Sequence, residues 1–153
     1  MNPNAPHIDV RDLVSHRPPM LLIDGLLDYG DDYAKTFINH YTPSIFANSN
    51  GDVPNWVGIE YMAQAIAVFA GLEHKKLGLD PKIGFLMGTR KYTPFVDVFK
   101  KGQYIEITAT RQYLSDEDRI ALFQCTISAA GQHLAEADIK AIQPDDPKTL
   151  FQL

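Results

Sequence analysis

The segment from Val57 to Leu72, VGIEYMAQAIAVFAGL, is apolar on nearly every side. A helix that is hydrophobic all round has to be enclosed by protein, so this segment predicts a central helix with other elements packed around it. It is too short, and carries Glu60, for a membrane span, which needs roughly 20 apolar residues. Lys75 and Lys76 suit the negative end of the helix dipole, and Gly78 or the Asp80-Pro81 pair can stop the helix. Gly58, Ala63, Ala65, Ala67, Ala70 and Gly71 let neighbouring elements approach its backbone closely.

What surrounds the helix follows from the rest of the chain. With 153 residues and 45% hydrophobic content, the sequence is read as one domain over 1–153, with residues 1–12 and 144–153 peripheral. No internal repeat is found. Asp9 to Val14 suggests a short helical turn. Met20 to Leu27 reads as a buried strand after Pro18-Pro19, and Tyr33 to Tyr41 as its hairpin partner through Gly30 to Asp32. The stretch from Thr42 to Pro54 is rich in turn formers and reads as a loop of functional length. After the helix the period changes to two. A strand is expected over Lys82 to Tyr92. Three more follow, with inward faces of Ile105, Ile107 and Ala109; of Ala121, Phe123, Cys125, Ile127 and Ala129; and of Ala135, Ala137, Ile139 and Ala141. Gly131 turns the last hairpin. The expected class is α+β: one long helix wrapped by a curved antiparallel sheet of about six strands, the hotdog fold. Such a sheet leaves edge strands that a dimer would cover.

Composition excludes several functions. Fourteen Lys and Arg against nineteen Asp and Glu give a net charge of -5, which speaks against a nucleic-acid or anionic-membrane surface. Cys125 is the single cysteine, so no intrachain disulfide forms, and no Cys/His spacing suggests a metal site. The first fifteen residues do not resemble a secretory signal, and a reducing cytoplasm fits.

Glu60 and Gln64 are the strongly polar side chains between Val57 and Leu72, and their i, i+4 spacing puts them on one face. A carboxylate inside such a helix needs a partner or a purpose. The alternative is that Glu60, in the first turn, faces solvent and favours the helix dipole.

SHRPPMLLID (Ser15 to Asp24) and GIEYMAQA (Gly58 to Ala65) resemble the two segments that mark the β-hydroxyacyl-acyl-carrier-protein dehydratases of fatty-acid synthesis. GFLMGTRKYTPFVDVFKKGQYIEI (Gly84 to Ile107) and LAEADI (Leu134 to Ile139) are similar to the later strands of that family. NWVGIEYMAQAIA together with GFLMGTRKY is most similar to the dehydratase-like proteins of aryl polyene pigment synthesis. The resemblance implies a histidine that removes the α-proton of a 3-hydroxyacyl thioester and a helical acid that protonates the leaving hydroxyl. It also implies a dimer whose sites combine the histidine of one subunit with the acid of the other. Glu60 matches the acid, and Trp56, Val57 and Gly58 match the helix start whose N–H groups polarise the thioester carbonyl.

The family's histidine has no counterpart. Ile45 to Trp56 reads IFANSNGDVPNW, and Asn48 falls nearest the vacant position, where an amide cannot act as base. His40 is the nearest imidazole, at the end of the second strand. His16 reads as structural, with Arg17 and Asp24 as candidate partners; His7, His74 and His133 read as surface residues. Asn48, Trp56, Val57, Gly58 and Gln64 are the expected substrate-binding residues. The pairs Arg90-Lys91 and Lys100-Lys101 would dock an acidic carrier protein, or are ordinary solvated turns. No cofactor or metal is expected, the phosphopantetheine arm coming with the carrier protein. Three readings stand: a homodimeric or heterodimeric partner subunit of an active dehydratase, an active dehydratase with an unconventional base such as His40, or a hotdog thioesterase using Glu60.

Overall fold

The computed structural model describes residues 7–40, 44–79 and 85–142, without the side chains of residues 85–87 and 90. The segment 144–153 and the start of the strand expected from Lys82 lie outside them. Along the chain run β1 (Gly25–Tyr29), β2 (Tyr33–Asn39), β3 (Val53–Pro54), α1 (Gly58–Lys76), β4 (Phe85–Pro94), β5 (Val98–Phe99), β6 (Tyr104–Leu114), β7 (Ile120–Ala129) and β8 (Gln132–Ile142). Six of these strands form one antiparallel sheet in the order β1-β2-β6-β7-β8-β4. The helix lies across its concave face against β2, β6 and β7. This is the hotdog arrangement that the order of elements predicts. Two short strands, β3 and β5, pair separately and tie the pre-helix loop to the turn before β6.

The alternation in β6 and β7 sets the core. Ile105, Ile107, Ala109, Cys125 and Ile127 are fully enclosed beneath the helix. In β8 a bulge opposite Ile127 and Ser128 turns Leu134 inward beside Ala135, while Ala141 is left half-buried. Ala130 and Gly131 both have positive φ, the two-residue hairpin geometry whose twist matches that of the strands. The helix ends in a Schellman motif: the Leu79 N–H reaches the His74 carbonyl, the Gly78 N–H reaches Lys75, and Gly78 has φ of 71°.

Three corrections concern the chain around the helix. The strand expected over Met20 to Leu27 begins only at Gly25, and Met20 is exposed. The Leu22 N–H and the Met20 carbonyl bond the Gln64 side chain, so neither is available to a ladder. The N-terminal turn is not peripheral. Asp9 caps the 3-10 turn Val10–Asp12, and Val10 is only 4% exposed. His74, expected at the surface, is buried near the end of the helix.

Both ends of the helix are tightly held. At its start Gly58 sits under the Tyr92 hydroxyl, Phe99 and Ile127. The Tyr92 hydroxyl donates to the Asn55 carbonyl, and Asn55 Nδ2 donates to the Val96 carbonyl at 2.9 Å. Lys91, just before Tyr92, has φ of 54° within an irregular stretch of β4. Toward the other end, Arg111 pairs with both carboxylate oxygens of Glu73 at 2.8 and 2.9 Å, its guanidinium 4.9 Å from the Phe69 ring centre. Gly71 lies against the backbone of Leu13, where a Cβ would stand 2.0 Å from the carbonyl oxygen. Gly71→Ala tests this contact. Helix propensity would favour alanine by about 1 kcal/mol, but a clash with rigid backbone costs about 3 kcal/mol, so denaturant unfolding should show a net loss of about 2 kcal/mol or more.

Candidate functional site

The first half of α1 carries the polar pair expected from its sequence. Gln64 is fully buried. Its Nε2 donates to the Met20 carbonyl at 2.8 Å and to Glu60 Oε1 at 3.0 Å, and its Oε1 accepts the Leu22 N–H at 2.8 Å. The two backbone contacts, one with an acceptor and one with a donor, leave one sensible orientation for the amide. Glu60 is thereby held at one oxygen. Its side chain is 37% exposed, and Oε2 has no hydrogen-bond partner among the described residues. Both readings of Glu60 in the sequence therefore have a share in the geometry: it sits in the first helical turn and opens toward solvent, yet it is gripped from within.

An imidazole that sequence reasoning passed over stands beside it. His16 Nε2 is 3.8 Å from Glu60 Oε1, and the His16 side chain is 33% exposed. Its Nδ1 is buried with no hydrogen-bond partner among the described residues. Of the partners expected for His16, Arg17 bonds its backbone carbonyl rather than its ring, and Asp24 is occupied otherwise. The Arg17 guanidinium donates to the Val14, His16 and Arg11 carbonyls, and Asp24 Oδ2 accepts the Asn39 N–H. One signal for this neighbourhood was available. A polar pair in an apolar helix requires partners, and a segment with two adjacent prolines has backbone groups that a ladder leaves unused.

His40 is placed very differently. It is buried, its Nδ1 lies 3.3 Å from the Lys100 carbonyl, and its Nε2 lies 3.2 Å from the Tyr61 hydroxyl. A carbonyl only accepts, so Nδ1 carries the proton and Nε2 accepts from Tyr61. Both nitrogens are committed, Nδ1 to the turn before β6 and Nε2 to Tyr61 on α1, which leaves none for a substrate proton. Asn48 is exposed, and its Oδ1 accepts the Asn50 and Asp52 N–H groups at 2.9 and 3.0 Å. Its oxygen therefore organises its own loop, leaving the amide nitrogen as the group a ligand could use.

At the helix start Trp56 is 60% exposed, with its ring edge-on to Phe46, while Val57 and Gly58 are buried. The Gly58 N–H bonds the Asn55 carbonyl and is thus taken up by the turn. Lys91, Lys100 and Lys101 are exposed; the Arg90 side chain lies outside the described residues. The Lys101 N–H bonds Asp52, so Asn48, Asp52, Lys100 and Lys101 gather at one loop cluster. Glu60, Gln64 and His16 form a separate group. No helix among the described residues is long and apolar enough to cross a membrane.

Burial lowers the pKa of His40, outweighing the Lys100 carbonyl and the charge of Asp24. The unfolded chain then binds more protons than the folded one below the ordinary histidine value of about 6.5. Stability contributed by neutral His40 is full above that value and lost as the pH falls through it. Replacing His40 with Gln should flatten this part of the stability profile, measured by denaturant unfolding between about pH 5 and 8.

Comparison with known proteins agrees with the architecture. No curated protein matches the sequence. A chain of the dehydratase heterocomplex ApeI:P from Xenorhabdus doucetiae superposes with a TM-score of 0.88 at 28% identity, covering 96% of this chain and 97% of that one. A conserved protein of Pseudomonas aeruginosa matches with a TM-score of 0.65 at 11% identity, over 88% of this chain and 98% of that one. The PaaI protein of the phenylacetic acid degradation operon of E. coli matches with a TM-score of 0.59 at 9% identity, over 80% and 79%. These last two bear on the fold alone. The model of the ApeP-like family, described as ApeP dehydratase, matches residues 8–152. The chain is a member of the ApeP-like dehydratase family, with the hotdog fold of its relatives.

Proposed function

We propose that this chain binds acyl thioesters as a dehydratase-like subunit of a fatty-acid or polyene type pathway, and completes a working site only together with an active hotdog paralogue. Dehydration of a 3-hydroxyacyl thioester needs a base for the α-proton and an acid for the β-hydroxyl, because the α-carbon is a weak acid and hydroxide a poor leaving group. The observation that carries the reading is an acid with no base in the pre-helix loop and none free at His40. Glu60 presents an Oε2 unengaged among the described residues, whereas the pre-helix loop offers Asn48 and both nitrogens of His40 are occupied. A similar protein, the ApeI:P dehydratase of Xenorhabdus doucetiae, is a heterocomplex. If the acid and the histidine meet across the subunit interface, a one-to-one pair has one complete site, made of Glu60 and the paralogue's histidine.

Surfaces suited to such a partner are present. Ile59, Glu60, Ala63, Ala67 and Ala70 form a half-buried helical face, and β1 and β4 are the open edges of the sheet. Lys91, Lys100 and Lys101 offer positive charge to an acidic carrier protein, whose phosphopantetheine arm would bring the substrate. The buried, unpaired Cys125 suits a reducing cytoplasm.

The test is turnover of a 3-hydroxyacyl carrier-protein thioester by the purified protein alone, and by the complex isolated after co-expression with a hotdog dehydratase of the same cell. No turnover is expected alone. Turnover is expected in the complex, falling by about a hundredfold or more when Glu60 is changed to Gln. Dehydration by the protein alone would overturn the partner reading, and release of free thiol would point to a thioesterase instead.

A further inference from the structure

We infer that His16 is a positioning residue for Glu60, holding one carboxyl oxygen so that the other faces the substrate; this rests on the reading of Glu60 as the acid of the shared site. Two nitrogen atoms converge on the same oxygen. Gln64 Nε2 lies 3.0 Å from Glu60 Oε1 and His16 Nε2 lies 3.8 Å from it. Oε2 is unengaged among the described residues, so the proton available to a substrate belongs there.

The ring itself favours the role of donor over that of base. A proton on Nδ1 would be buried without an acceptor among the described residues, which places the hydrogen of the neutral ring on Nε2, toward the carboxyl group. The remaining lone pair is then enclosed at Nδ1, out of reach of a substrate proton. The backbone around the ring is fixed as well. Arg17 clasps the Val14 and His16 carbonyls at 2.9 and 2.7 Å, and Gln64 holds Met20 and Leu22 a few residues on.

In the shared site the α C–H bond breaks toward the paralogue's histidine as the double bond forms. The β C–O bond breaks, and the hydroxyl leaves as water with the proton from Oε2. Negative charge then develops on the Glu60 carboxyl group, and the His16 N–H meets it at Oε1. At 3.8 Å the contact is longer than a hydrogen bond, and it tightens as that charge appears. An interaction strengthened in the transition state lowers kcat and spares KM when it is removed.

Steady-state kinetics of the co-expressed complex should compare wild type, Glu60→Gln, His16→Leu and His16→Gln, with thermal melting of each. Leucine fills the space without a donor, whereas glutamine restores an N–H at a similar reach. The expected result is a kcat about tenfold lower for His16→Leu, the scale of one hydrogen bond to a charged group. KM and melting should be little changed, and His16→Gln should recover most of the rate. Full kcat in His16→Leu while Glu60→Gln is inactive would overturn the role of His16 and leave Glu60 in place, as would a His16→Gln variant no better than His16→Leu. Full turnover in Glu60→Gln would remove the acid itself, and this inference with it.

Discussion

One buried amide joins the fold to the site. Gln64 is fully enclosed and makes contacts in three directions, to Met20, Leu22 and Glu60. An amide buried without partners costs roughly 2 kcal/mol or more, so these contacts constrain everything they touch. They fix the rotation of the helix about its axis. They hold the chain before β1 in an irregular course, and the first strand starts at Gly25. They also set the direction of the Glu60 carboxyl group, which the helix alone would leave free to swing into solvent.

The rest of the packing serves the same placement. Gly71 accepts the backbone of Leu13 toward one end, and Gly58 lies under Tyr92, Phe99 and Ile127 at the other. Between them the enclosed strand residues Ile105, Ile107 and Ile127 fill the concave face of the sheet. A helix held so closely on its inner side shows its remaining face, with Glu60 and the small residues Ala63, Ala67 and Ala70, away from the core. The result is a scaffold that holds the Glu60 carboxyl group at one oxygen, between Gln64 and His16.

Much of the fold was legible in the residues. The all-apolar helix, the period-two runs around Ile105, Phe123 and Ala137, and the turn at Gly131 each have a local cause, and each stands where it was expected. The misread first strand arose where a side chain replaces a backbone partner. MLLIDGLL has the composition of a buried strand, but Gln64 takes the Leu22 N–H and the Met20 carbonyl at its start. The short β3-β5 pairing carries no periodicity to reveal it, because two residues cannot show a period. In the site, Glu60 and Gln64 were visible as polar residues in an apolar helix. His16 was not, since nothing in SHRPP indicates that its ring stands beside a residue more than forty positions away. His40 drew notice only for its nearness in sequence to the loop, whereas its contacts with Tyr61 and Lys100 depend on the tertiary fold.

Hydrogen exchange at the Leu22 amide is the most direct test that Gln64 couples fold to site. Leu22 precedes β1, and among the described residues its N–H finds its partner in the Gln64 side chain. In the wild-type protein this amide should be protected as the core amides of β6 and β7 are, and Gln64→Leu, folded but with no acceptor, should abolish the protection while leaving those strands slow. Rapid exchange at Leu22 in the wild type, or protection that survives in Gln64→Leu, would contradict it.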